Sequence, residues 1–193
     1  MNGVVFFSVA VATATIAIML VMARNRFVRL RTAMEASWSG LEVEMQRRYD
    51  LIPNLVATAK GYMAHERATL ESVVEARERA VSDRGSHASQ IASEQRLESA
   101  LGNLKVRVEA YPDLKANEHF LTLQQELATT ENRLASARRL HNLNVRSWNT
   151  LGQTIPYQFA RPKGWEPEPY FEVADTAAAS PVEVSFGDAA DPR

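Results

Sequence analysis

The sequence contains no cysteine, which excludes disulfide bonds and thiolate-bound metal ions. Glycine and proline are also scarce, with eight of each in 193 residues, and six of the prolines follow residue 155. The isolated glycines form no phosphate-binding loop. A net charge of −1 argues against a general nucleic-acid-binding protein. The remaining chain is rich in Ala, Leu, Glu, Arg and Gln, a composition that favours an all-α fold.

An uncharged apolar stretch occupies residues 4–23. As a helix it is about 30 Å long, which matches the thickness of a bilayer core. A cleaved signal peptide is the alternative, but no basic residue precedes the stretch. Four arginines follow it directly: Arg24, Arg26, Arg29 and Arg31. The sequence therefore predicts a transmembrane anchor over residues 1–23. Because positive charge beside a span stays inside, it also predicts a single-pass inner-membrane protein with its N-terminus outside and its bundle in the cytoplasm.

Apolar residues at three- and four-residue spacing predict four long amphipathic helices over residues 24–153. The first is predicted to continue from the anchor and to end near Tyr49. Pro53 predicts a reversal over residues 50–53, because proline disfavours helical geometry in the residue before it. Arg77 lies off the apolar stripe of the second helix and is expected to tolerate replacement by Ala. The predicted fold is an up-and-down antiparallel bundle of four long helices on a transmembrane helix.

Beyond the helices the chain is rich in proline and is predicted to be largely irregular. Residues 154–173 carry five aromatic side chains: Tyr157, Phe159, Trp165, Tyr170 and Phe171. Such side chains favour either the headgroup region of a bilayer or the open end of the bundle. Together with Arg24 and Arg26 they are the predicted membrane-interface residues. Residues 174–193 are acidic and poor in apolar residues, which predicts disorder.

Several long segments carry a family resemblance. They are Ala36-Ser37-Trp38-Ser39, QRRYDLIPNLV at 46–56, KGY at 60–62 with His65-Glu66, AYPDLKAN at 110–117 with Phe120, and the polar motifs of 123–133. In these segments the chain resembles the LemA family of bacterial membrane proteins. The resemblance implies an up-and-down helical bundle on an N-terminal anchor, with a role in membrane organisation or in presenting partner proteins. It supplies no catalytic residues, and residues 155–165 depart from the family's pattern.

Polar residues flank the two predicted reversals, where the far end of the bundle is expected. The candidates for contact with a protein partner are Arg47, Arg48, Asp50, Asp113 and Lys115. His65-Glu66 is not the zinc-binding helix motif, because the second histidine of that motif is replaced by Thr69.

No metal, cofactor or small-molecule substrate is therefore expected. The sequence predicts a non-enzymatic scaffold that contacts the lipid bilayer and binds a protein partner or forms a homo-oligomer. The alternative is a hydrolase-like enzyme, or a subunit of one, with a site between the helices.

Overall fold

The computed structural model describes residues 2–172, so the predicted acidic tail at 174–193 lies outside the described residues. Within that range the chain is helical, with no β-strand, which confirms the all-α prediction. The helices are α1 (Asn2–Lys60), α2 (Arg67–Ser82), α3 (His87–Val108), α4 (Pro112–Lys115) and α5 (Glu118–Gln153). A short 3-10 turn, Tyr157–Ala160, follows α5. Four of these elements are long, as predicted, and α4 is a single turn between α3 and α5.

Helix α1 joins the apolar stretch to the bundle without a break. Among the described residues it is the one helix long and apolar enough to cross a membrane. All of residues 2–22 are exposed, whereas Ala23 is only 6% exposed. The bundle therefore begins at the last uncharged residue of the candidate span, and burial along α1 continues from there to Ala59.

Helices α1 and α5 form a long antiparallel pair. The Asn144 side chain donates to the Ala33 carbonyl at 3.1 Å, near the membrane-proximal end of the bundle. At the opposite end Asn117 donates to the Tyr62 hydroxyl at 3.0 Å. These two contacts hold one antiparallel register along the whole length of the pair. The far end of the bundle is thus the end near Tyr62 and Asn117.

The α2–α3 hairpin packs against the far part of this pair. Trp38 stacks on His87 at the start of α3, with ring centroids 4.0 Å apart. Arg107 near the end of α3 lies 3.8 Å from Glu66. Helix α3 therefore runs in the same direction as α1. The main core lies between the hairpin and the long pair, and its fully buried members include Leu41, Ile52, Val73, Leu97 and Leu134.

The predicted reversal at residues 50–53 is wrong. Helix α1 passes through Pro53 to Lys60, and the chain reverses over residues 61–66 instead. Ile52 and Ala59 are fully buried, so continuing the helix keeps the apolar stripe in the core. Pro53 has no N–H to give to the carbonyl of Tyr49, four residues earlier. The side chain of Arg77 on α2 donates to that carbonyl at 2.6 Å and replaces the missing hydrogen bond.

After α5 the chain folds back along the bundle as the return segment, residues 154–172. The turn at its base places the Trp165 N–H 3.1 Å from the Pro162 carbonyl, and Gly164 adopts a positive φ of 76° that favours glycine. The return segment then runs away from the membrane side and reaches α3, where Gln95 donates to the Glu172 carbonyl at 2.9 Å. It covers the part of the α1–α5 pair that the shorter hairpin leaves open.

Side chains of α5 fix the backbone of the return segment. The side-chain amide of Asn142 donates to the Phe171 carbonyl at 3.0 Å and accepts from its N–H at 2.9 Å. Asn149 makes the same pair of hydrogen bonds with Glu168. The Trp148 indole donates to the Glu166 carbonyl at 3.1 Å. An extended segment that lacks sheet partners thereby satisfies part of its backbone through two asparagines and a tryptophan.

Replacing Gly152 with Ala tests this packing. Gly152 is buried beneath the Trp165 ring, and a Cβ at position 152 would overlap that ring. Overpacking typically costs about 1–3 kcal/mol, and the better helix propensity of Ala offsets about 1 kcal/mol of it. We expect a net loss of up to about 2 kcal/mol and faster proteolysis within the return segment.

The matched control is Gly102→Ala, because residue 102 lies inside α3 with no atom near the added Cβ. That variant should be as stable as the parent or slightly more stable. The two variants are compared by thermal melting and limited proteolysis of the full-length protein in mild detergent. Equal behaviour of the two would contradict the packing of Trp165 on Gly152.

Candidate functional site

The far end of the bundle consists of the turn at residues 61–66 and the connection at 109–117. Lys115 lies 2.5 Å from Glu109, and both side chains face solvent. Asp113 is also exposed. Asn117 caps α5, since its side chain accepts from the Phe120 N–H at 2.9 Å, and it also reaches across to Tyr62. The predicted site residues Asp113 and Lys115 therefore do lie at the far end.

Exposed apolar side chains accompany these charges. Val106 near the end of α3 is 73% exposed, while Tyr62 and Leu121 are each about two-fifths exposed. Leu121 follows Asn117 by one helical turn, on the side of α5 that meets Tyr62. The far end thus exposes both charged and apolar side chains.

The other three predicted site residues are not at the far end, because α1 continues beyond them. Asp50 is exposed but lies about 15 Å along the helix from Lys60. Arg47 is half exposed and lies 3.7 Å from Glu44 on the same helix. Arg48 is 1% exposed and has its partners inside the bundle. The structure therefore does not bring the five residues together, and the expectation of a surface position for Arg48 is wrong.

Arg48 is the centre of a buried ionic network. Its guanidinium donates to Glu94 of α3 and, at 2.9 Å, to Glu131 of α5. The Tyr49 hydroxyl donates to the second oxygen of Glu94. Burial raises the pKa of Tyr49 well above its usual value, and the charge of Glu94 raises it further. For Arg48, burial acts to lower the pKa, but the charges of Glu94 and Glu131 outweigh it and raise the pKa. The network joins three helices in fixed register.

A serine and a histidine meet between α1 and α5. Ser37 Oγ lies 3.2 Å from His141 Nδ1 and donates its proton to the Met34 carbonyl at 2.8 Å. A serine nucleophile would instead give its proton to the imidazole. Burial, helped by the nearby His87, lowers the pKa of His141 to about 4, so the ring is neutral at pH 7.

These two side chains are almost fully buried, and they form part of the packing around Trp38. The geometry fits a hydrogen-bonded core histidine and gives the hydrolase alternative no support. Within residues 2–172, no three His, Asp or Glu side chains are grouped so that they could hold a metal ion.

The predicted membrane-interface residues occupy two different environments. Phe171 is 2% exposed and packs in the main core, and Trp165 is half buried against Trp148. The expectation that Phe171 faces lipid is therefore wrong, and it covers the bundle instead. Phe159 is largely exposed, and Tyr170 is exposed to a smaller degree.

Arg24 and Arg26 are exposed at the end of the apolar stretch. The Arg26 guanidinium donates to the Tyr157 hydroxyl at 3.4 Å and lies 5.4 Å from the centre of its ring. The contact joins the end of the span to the turn that follows α5. Tyr157 is half buried as a result.

Comparison with known proteins gives two relatives and one family. The model of the LemA family matches residues 37–186. "Protein LemA" of Metamycoplasma hominis is 24% identical over 127 residues, which cover 66% of this chain and 58% of that protein. "Magnetosome protein MamQ" of Magnetospirillum gryphiswaldense is 24% identical over 191 residues, which cover 84% of this chain and 70% of that protein. The chain thus spans a little more than half the length of the first relative.

The family match covers most of the bundle, including the buried network, the far end and the return segment. The helical architecture and the single candidate span within the described residues agree with it. The protein is a membrane-associated helical bundle, and the chain belongs to the LemA family.

Proposed function

We propose that this protein is a non-enzymatic scaffold of the inner membrane that presents the far end of its bundle to a protein partner or to a second copy of itself. The observation that carries the proposal is the continuity of α1 from the apolar stretch to Lys60. Residues 24–60 of that helix measure about 55 Å. With no loop between span and bundle, the far end is held at a set distance from the bilayer.

The orientation in the membrane belongs to the same proposal. Four exposed arginines follow the span directly: Arg24, Arg26, Arg29 and Arg31. Positive charge in this position is retained on the cytoplasmic side of the membrane. An alkaline phosphatase, which is active only outside the cytoplasm, should be inactive when fused after Arg193.

Replacing the four arginines with Gln should give a measurable fraction of inverted, active fusion protein. Three arginines of the bundle provide the control: Arg47, Arg67 and Arg79. Their replacement with Gln should leave the fusion inactive, because they lie too far from the span to set its orientation. Strong phosphatase activity of the parent fusion would contradict the proposed orientation.

Binding at the far end is tested by photo-crosslinking in the cells that make the protein. A benzophenone amino acid is placed at Tyr62 or Leu121, both partly exposed at the far end. Val43 is the matched control, since it is an apolar residue of α1 that is 58% exposed in the middle of the bundle. The adducts are identified by mass spectrometry of the full-length protein.

We expect one defined adduct from both far-end positions and none from Val43. An adduct with another protein identifies the partner, and an adduct of two copies of this chain shows self-association. The same adducts from all three positions, or none from the far-end positions, would contradict the far end as the binding surface.

A further inference from the structure

Two large apolar side chains are exposed where the bundle meets the span. Ile155 is 71% exposed and Phe159 is 77% exposed. They flank Tyr157 in the short stretch that closes the bundle after α5. Exposed apolar side chains that are grouped together are a feature of interaction sites.

The register of the long helix pair sets the height of this stretch. Asn144 of α5 contacts Ala33 of α1. From this contact, Gln153 of α5 and Arg24 of α1 are the same number of residues closer to the membrane, so these two residues lie at the same level. The chain after Gln153 then lies beside Ala23, the last uncharged residue of the span, which is buried although every described residue before it is exposed.

Several contacts hold the stretch in this place. Arg26 binds Tyr157 through its hydroxyl and its ring. Arg161 donates to the Gly152 carbonyl, and its guanidinium lies 4.4 Å from the centre of the Trp165 ring. Leu151 packs with Phe27 and Trp148 in a small core of its own. Because its neighbours are fixed, the stretch presents Ile155 and Phe159 as a preformed surface.

We infer that Ile155 and Phe159 insert into the headgroup region of the same bilayer that holds the span, so that the bundle contacts the membrane twice. Lipid is the occupant that fits, since this surface is continuous with the end of the span. Arg24 and Arg29 follow the span, and Lys163 follows Phe159 in sequence. All three are exposed, and their positive charge favours anionic lipid. The second contact fixes the tilt of the bundle relative to the membrane, and it does not depend on binding at the far end.

The absence of native cysteine makes a direct test possible. Single cysteines replace Ile155, Phe159, Val43 or Leu143 in the full-length protein, and each is labelled with an environment-sensitive fluorophore. All four residues are apolar and more than half exposed, so labelling should preserve the fold. The proteins are placed in vesicles of phosphatidylcholine and phosphatidylglycerol, with and without lipids spin-labelled near the headgroup.

We expect strong quenching by spin-labelled lipid and blue-shifted emission at positions 155 and 159. Positions 43 and 143, further along the bundle, should instead be quenched by aqueous iodide. Replacing Phe159 with Asp should reduce lipid quenching of a probe at 155, whereas Leu143→Asp should not. Equal iodide quenching at all four positions would overturn the inference. The inference would also be overturned if probes at 159 were not quenched by spin-labelled lipid and instead showed energy transfer to one another that rises with protein density. That result would assign the surface to contact with a second copy.

Discussion

Replacing Arg48 with Met should lower the free energy of unfolding by about 3–5 kcal/mol, because the Arg48 side chain is buried within an ionic network. The reason is the charge that the substitution leaves behind. Glu94 is almost fully buried, and Arg48 is its cationic partner. A carboxylate without that partner must either remain charged in the core or bind a proton, and both cost free energy. Thermal and denaturant unfolding of the full-length protein in mild detergent, followed by circular dichroism, measures the effect.

The double variant with Glu94→Gln separates charge from packing. The introduced glutamine is neutral and can still accept the Tyr49 hydroxyl proton, while Glu131 is about one-third exposed and reaches water. Arg48→Met with Glu94→Gln should therefore recover about 2 kcal/mol relative to Arg48→Met alone. Arg47→Met is the adjacent control, because its partner Glu44 is on the same helix and it is half exposed. That variant should change stability by less than about 0.5 kcal/mol. Equal effects at 47 and 48 would contradict the network.

The sequence does contain a signal for this network that the surface assignment overlooked. Arg48 lies three residues after Met45 and four before Ile52, which places it on the buried stripe of α1. Glu94 lies in the same way between Ile91 and Leu97 of α3. Opposite charges on the apolar stripes of two helices indicate a buried pair. The pairing itself depends on the register between α1 and α3, which the spacing within one helix does not give.

The bundle was predictable from the sequence because its signals are local and repeated. Composition and apolar spacing predicted the all-α fold and four long helices, and the uncharged stretch predicted the helix that is long and apolar enough to cross a membrane. The cap at Asn117 is a signal of the same local kind, since asparagine is a preferred residue there and satisfies a backbone donor within one turn. The position of the first reversal was not predictable in this way, because a residue from another helix decides it. The local preference of proline predicts a helix break at Pro53, whereas burial of the apolar stripe and the hydrogen bond from Arg77 allow the helix to continue.

The return segment was likewise predictable only in part. Its aromatic residues were recognised as covering either the bundle or lipid. In the structure these residues have different environments. Asn142 and Asn149 hold the backbone of the segment, and Phe171 is buried while Phe159 remains exposed. Asparagines at a seven-residue spacing on α5 lie on one face, but nothing in that spacing indicates that they bind an extended segment. The contact between the far end and a protein partner stays a prediction.

Replacing Arg77 with Ala is the second substitution for which we expect a large loss of stability. Its position off the apolar stripe had predicted that the replacement would be tolerated. Arg77→Ala removes the donor that serves the Tyr49 carbonyl, whose helical partner is missing at Pro53. Hydrogen bonds from charged donors contribute about 1.5–3 kcal/mol, and Tyr49 is 7% exposed, so water replaces the guanidinium poorly. We expect Arg77→Ala to cost about 2–3 kcal/mol. Arg79→Ala, two residues along α2 with an exposed side chain, should cost less than about 0.5 kcal/mol.

A double-mutant cycle with Pro53→Ala tests the cause of that cost. An alanine at position 53 restores a backbone N–H that can donate to the Tyr49 carbonyl, as in an ordinary helix. In the Pro53→Ala protein, Arg77→Ala should therefore cost less than about 1 kcal/mol, which gives a coupling of about 1–2 kcal/mol between residues on two different helices. The free energies of unfolding of the four proteins are measured under the same detergent conditions. Additive effects would mean that Arg77 stabilises the bundle by some other contact, and that α1 tolerates Pro53 without a replacement donor.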